Sequence, residues 1–210
     1  MTTTPVRFVV TGFGPFQGVR SNPTTQICHK LDGHLRKHGR ADLADAIVSR
    51  QVMETAAAVV RGSLDLVARM EDDTVKTVYL HLGVNARGNL FHVEECAYND
   101  ATFRVPDRDG YRPTKECIVE DQEWGHCLKT ELDVEALVDT LNATETRAIV
   151  STDPGRFVCN YTYYYSLSQH PYAIFLHVPP FAVAGEGVQL RLVADLMEAI
   201  RNQLVGVESA

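Results

Sequence analysis

The stretch AIVSTDPGRFVCNYTYYYSLSQHPYAIFLHV, residues 148–178, decides the fold. It opens on a β-branched apolar run at 148–152, carries apolar and aromatic residues at helical spacing over 157–168, and closes on a second apolar run at 173–178. Runs that are apolar at nearly every position read as strands covered on both faces, the pattern of parallel sheet. The same alternation recurs upstream, where runs at 7–11, 46–51 and 75–82 are separated by helical spacing at 25–37 and 55–70. Further helices are expected at 134–142, with Asp133 as N-cap, and at 188–205. The spacing predicts an α/β protein: a single three-layer domain over residues 1–210, with a mostly parallel twisted sheet, helices on both faces and right-handed crossovers.

Only residues 88–124 break the rhythm. They are polar, with Pro106, Gly110 and Pro113 as turn formers, and include one alternating run, 91–98, read as a strand or hairpin before a long surface excursion. The chain of 210 residues is 45% apolar, enough for a core of its own. Twenty Lys and Arg against 27 Asp and Glu leave a net charge of −7, the wrong sign for neutralising phosphates, so nucleic acid is not expected as a partner. No apolar run approaches the roughly 20 residues that span a bilayer, and residues 1–5 are too polar to start a signal peptide, so no membrane association and a cytoplasmic location are expected. Five cysteines without a CxxC argue for free thiols rather than a disulfide framework or a structural zinc site.

In open α/β sheets ligands collect past the carboxyl ends of strands, and three segments sit at such ends. The first, Thr11-Gly12-Phe13-Gly14-Pro15-Phe16, follows a strand as a dinucleotide loop would. It lacks the third Gly in register, and Pro15 has no N–H for a pyrophosphate. Phe13 and Phe16 either plug the sheet end or face a flat uncharged ring. The second segment, Asp153 to Cys159, puts Cys159 near a helix N-terminus, where a thiol is activated and an oxyanion can be received, unless it is a buried structural thiol. The third ends a strand at His177 before Val178-Pro179-Pro180, a position open to a general base or to a structural histidine. Glu94 and Glu95 alternate along a strand, so only one of them can point into a site.

Taken together, Val10-Thr11-Gly12-Phe13-Gly14-Pro15-Phe16, Asn22-Pro23, Val93-Glu94, Asp153-Pro154-Gly155-Arg156-Phe157-Val158-Cys159-Asn160 and Phe175-Leu176-His177-Val178-Pro179 occur in an order that resembles pyroglutamyl peptidase type I, the pyrrolidone carboxyl peptidases. The resemblance covers most of the chain. It implies a cysteine peptidase that removes N-terminal pyroglutamate from small peptides, with no cofactor or metal, and is compatible with a homo-oligomer. It makes Cys159 the nucleophile, His177 the base and acid, and Glu94 the orienting carboxylate; Phe13 and Phe16 hold the lactam. Arg104, with the Cys159 N–H, forms the oxyanion hole, and the backbone of Val105 meets the lactam. The chain departs from the family pattern at Val84, Glu95 and Pro154. Two rival readings stand beside this one: a non-catalytic small-molecule or partner-binding α/β domain, and a cysteine hydrolase of another small amide.

Overall fold

The computed structural model describes residues 5–16, 18–69, 74–143 and 148–206. Residues 1–4, read above as no signal peptide, and Met70, the end of the expected second helix, lie outside them. In chain order the elements are β1 (Val6–Phe13), α1 (Pro23–Lys37), α2 (Ala41–Asp45), β2 (Ile47–Met53), α3 (Ala57–Ala68), β3 (Lys76–Val84), β4 (Phe91–Glu94), β5 (Cys96–Tyr98), β6 (Cys127–Lys129), α4 (Val134–Asn142), β7 (Ala148–Ser151), α5 (Val158–Leu167), β8 (Ala173–Val178) and α6 (Glu186–Gly206).

Six strands form one sheet in the order β2-β1-β3-β8-β4-β7, and strand alternation sorts its side chains into two cores. Phe8, Val10, Leu80, Leu82, Ile174 and Leu176 face α1, α4 and α6, meeting Leu31, Leu137 and Leu196. Val9, Phe13, Tyr79 and Phe175 face α3 and α5, meeting Val60, Leu64, Tyr163 and Tyr164. Helix starts are set by local chemistry. Asn22 accepts the Thr24 N–H at 3.1 Å ahead of Pro23, and Asp133 accepts the Ala136 N–H at 3.0 Å, as its position predicts.

The observed architecture is the mostly parallel sheet with helices on both faces that the alternation implies, with four corrections. β2, β1, β3 and β8 run parallel, but β4 is antiparallel to β8, and β7 is parallel to β4. The 148–178 unit is therefore not a parallel crossover: β7 is separated from β8 by β4 and runs against it. Second, β2 and β7 are edge strands with partly exposed residues, not core strands. Third, the run 91–98 breaks at Glu95, whose N–H bonds Ser151 O at 2.7 Å; β5 then leaves the main sheet to pair antiparallel with β6. Fourth, the short helix α2 carries no expectation from sequence. The excursion between β5 and β6 is held by buried polar hubs. Asn99 Oδ1 accepts the N–H groups of Ile118 and Val119 at 2.7 and 3.0 Å, and Asp107 accepts those of Ala57, Asp109 and Tyr111.

Candidate active site

β8 delivers His177 near its end, only 8% exposed. β4, running the other way, places Glu94 opposite Phe175, so its carboxylate is one diagonal step from the imidazole on the same sheet face. His177 Nδ1–H donates to Glu94 Oε1 at 2.7 Å, and Glu94 itself is fully buried. The Tyr163 hydroxyl donates to the Glu94 backbone carbonyl at 2.8 Å and fixes the strand end from α5. Gly83 lies beneath the two rings: a Cβ there would come within 2.6 Å of Phe175 and 3.1 Å of His177. Only glycine leaves room for them.

Cys159 is the second residue of α5, whose start has no side-chain cap, and the first N–H groups of a helix have no partner within it. The approach to it is tightly built. Gly155 has φ 79°, and Asp153 Oδ1 accepts its N–H at 3.1 Å. Asn160 accepts the Tyr98 N–H at 2.9 Å and donates to Tyr98 O and Asp100 O, tying the helix start to β5. Arg156 covers the Tyr98 ring and pairs with Asp100 and Asp153. Cys159 is partly exposed, unlike the buried Cys28 and Cys96, and packs at the margin of the core beneath α5. Its thiol lies close enough to His177 for its charge to act on the imidazole. With Nδ1 engaged by Glu94, the imidazole has Nε2 left for the sulfur. Burial alone would push the His177 pKa down; the charge of Cys159, then the hydrogen bond to Glu94 and its charge, outweigh it and raise it to about 10.

Two cavities meet at Phe16. One, of about 560 Å³, is lined by His177, Glu94, His92, Arg104, Val84 and Gly155. The other, of about 470 Å³, lies against Phe16, Phe157, Val105 and Thr55, with the Phe16 and Phe157 rings 6.3 Å apart at 44°. Thr55 is 4% exposed, and its hydroxyl has no hydrogen-bond partner among the described residues.

The family model for pyroglutamyl peptidase, Peptidase_C15, matches residues 6–184. The chain belongs to the pyroglutamyl peptidase family. It is 31% identical over 179 residues to the pyrrolidone-carboxylate peptidase of Thermococcus litoralis, covering 82% of this chain and 76% of that one. It is 30% identical over 201 residues to pyroglutamyl-peptidase 1 of Homo sapiens, covering 93% and 90%. The solved pyrrolidone carboxyl peptidase from Thermococcus litoralis superposes with a TM-score of 0.80 at 25% identity, over 96% of each chain.

Within this pyroglutamyl peptidase fold the residues expected from sequence divide into groups. Cys159, His177 and Glu94 come together, and Glu95 turns away to pair with Lys129 at 3.0 Å. Phe16 borders both cavities; exposed Arg104 lines one and half-buried Val105 the other. Phe13 lines neither. It is 2% exposed with its ring stacked on Phe175 at 6.5 Å, a core position under the site. Asp153 to Gly155 follow the carboxyl end of β7, as expected, and line the larger cavity, although β7 runs against β8. Sequence reasoning missed Thr55, Phe157, His92 and Tyr163. Phe157 could have been found from its place two residues before Cys159; Thr55 and His92 carry no pattern.

Proposed function

We propose that this chain is a cysteine exopeptidase that hydrolyses the amide after an N-terminal pyroglutamyl residue of small peptides, as one catalytic domain. The observation that carries the reading is the buried Glu94–His177 pair at the wall of the larger cavity, with Cys159 near enough for its charge to raise the His177 pKa. The Cys159 thiolate attacks the exocyclic carbonyl of the pyroglutamyl residue, with its proton held on His177, while Glu94 fixes the imidazole and favours its charged form. The oxyanion is met by the Cys159 N–H at the start of α5 and by Arg104. His177 gives its proton to the departing amine, leaving a thioester. It then takes a proton from water, which attacks the thioester and frees pyroglutamate and the thiol. Every step is proton or acyl transfer between groups of this chain, substrate and water, and none calls for a metal or cofactor.

The lactam fits the smaller cavity, between Phe16 and Phe157, with Val105 on its wall and the unpartnered Thr55 hydroxyl available to its polar edge. Pyroglutamate has no α-ammonium, so the apolar part of the wall formed by Phe16, Phe157 and Val105 accepts its uncharged ring, whereas a charged amino terminus would lose hydration against it. Among the described residues no helix is long and apolar enough to cross a membrane. The test is release of a fluorogenic amine from a pyroglutamyl amide, with the prolyl amide as control. Release from the first and not the second is expected; equal rates would overturn the lactam assignment.

A further inference from the structure

The reaction uses Cys159 and leaves four thiols without a part in it. Two of these, Cys96 and Cys127, are far apart in sequence but are brought side by side by the pairing of β5 with β6. Cys96 lies opposite Lys129, and Cys127 opposite Tyr98, so the two cysteines are diagonal neighbours on one face of the ribbon. Diagonal neighbours across a two-stranded ribbon stand about 7–8 Å apart, close to the upper limit for a disulfide, so a small added twist of the ribbon brings the sulfurs within bonding reach. Their environments differ: Cys127 is exposed, while Cys96 is 2% exposed and sits against Thr152 O and the Tyr98 hydroxyl.

We infer that Cys96 and Cys127 form a reversible redox site, with Cys127 as the attacking thiol, Cys96 as the resolving thiol and a small-molecule disulfide such as glutathione disulfide as oxidant. The Cys127 thiolate attacks one glutathione sulfur and expels the other as a thiolate, giving a mixed disulfide. Cys96 loses its proton to solvent and attacks the Cys127 sulfur, expelling the second glutathione thiolate. Two protein thiols are oxidised and one glutathione disulfide is reduced to two thiols.

The bridge would close a ring around the whole excursion, including Arg104 and Val105. Its sulfurs lie on the face of β5 opposite Ala97, which packs into the core beneath α5. The bond therefore fastens the excursion without entering either cavity, and restricts the unfolded chain. The burial that raises the Cys96 pKa to about 11 suits a thiol that waits for a mixed disulfide rather than meeting the oxidant itself.

The experiment uses the full chain with Cys159→Ala, which removes the competing thiol, equilibrated in glutathione buffers of rising oxidised fraction. Disulfides are mapped by peptide mass spectrometry after alkylation, and Tm is measured in parallel. A single Cys96–Cys127 bridge, a Tm several degrees higher, reversal by dithiothreitol, and loss of both effects on adding the surface change Cys127→Ser are expected. A glutathione adduct persisting on Cys127 while Cys96 remains alkylatable would overturn the inference. So would a bridge to Cys117, or an equal Tm rise in the Cys127→Ser variant.

Discussion

Glu94 holds His177 with one carboxylate oxygen, Oε1 at 2.7 Å from Nδ1, while its other oxygen, Oε2, is buried with no partner among the described residues. A carboxylate satisfied by the protein on one side only places its charge at the service of that single imidazole. Glu94→Gln keeps the size but removes the charge that favours the imidazolium. Its kcat/KM on a pyroglutamyl amide should fall by one to several orders of magnitude, on the scale of losing a triad carboxylate. Glu95→Gln loses only a partly exposed pair with Lys129 and should stay within about 0.5 kcal/mol of the parent in stability and in transition-state binding. Parallel kinetics of the two variants test this. Loss of activity in Glu95→Gln alone would reverse the assignment.

The second prediction separates the thiols. Burial pushes Cys28 up to about 12, with only partial relief from Arg50, and Cys96 up to about 11, so neither is nucleophilic near neutral pH. Iodoacetamide at neutral pH should therefore spare Cys28 and Cys96 and inactivate the protein through Cys159, with mass spectrometry showing the Cys159 label rising in step with the loss of activity. Cys159→Ala should leave the fold intact by circular dichroism and abolish amine release. Turnover by Cys159→Ala at the parent rate would remove it from the nucleophile's role.

Much of this was legible because apolar runs and helix signals are local. β1, β3 and β8 read directly as strands, α4 takes the bounds expected from Asp133, and Cys159 falls at a helix start as its place after Gly155 suggests. Strand direction was not legible, because an apolar run reports burial and says nothing of which way the chain enters the sheet. β7 therefore read like β8 although it runs against it at the edge. Phe13 and Phe16 looked equivalent in one loop. Phe13, however, is the last residue of β1, in phase with Val9, and alternation sends it into the α3–α5 core; Phe16 lies beyond the strand, where the cavities open. Thr55 gave no signal because its role comes from what surrounds it, including Val105 from a distant excursion.

The third prediction concerns acid stability. His81 is fully buried on the same sheet face, hydrogen-bonded to the Thr11 hydroxyl at 2.7 Å, and burial, with the charge of His170 adding to it, lowers its pKa from 6.5 to about 3. Above pH 6.5 the group is neutral whether the chain is folded or not. Between 6.5 and 3 the unfolded chain binds a proton that the folded one refuses, so stability falls as pH falls, by up to about 1.4 kcal/mol per pH unit. His177 works in the opposite window. Its raised pKa stabilises fully below 6.5, and that contribution is lost as pH rises toward about 10. Urea unfolding from pH 7 to 4 should give a steeper decline for the parent than for His81→Asn, even though the variant is less stable at pH 7. Equal slopes would assign the acid loss to other groups.

The last prediction uses the difference between a ring in the core and a ring at the cavity. Phe13→Ala opens a hole against Phe175 and should cost about 3–5 kcal/mol of stability, seen as a lower urea midpoint. Phe16→Ala should leave the fold largely intact and weaken transition-state binding by about 1–3 kcal/mol, since its half-exposed ring borders both cavities. Thr55→Val is the sharper probe. Its hydroxyl bonds nothing in the described protein, so removing it should not destabilise the fold and could even raise the midpoint slightly. Any penalty must then come from substrate. If the hydroxyl meets the lactam, kcat/KM for pyroglutamyl amides should fall about 10- to 100-fold, the usual range for a lost neutral hydrogen bond in an apolar pocket with its partner left unpaired. Unchanged kcat/KM with the fold intact would place the lactam elsewhere, and the larger cavity beside His92 would then be the place to look for it.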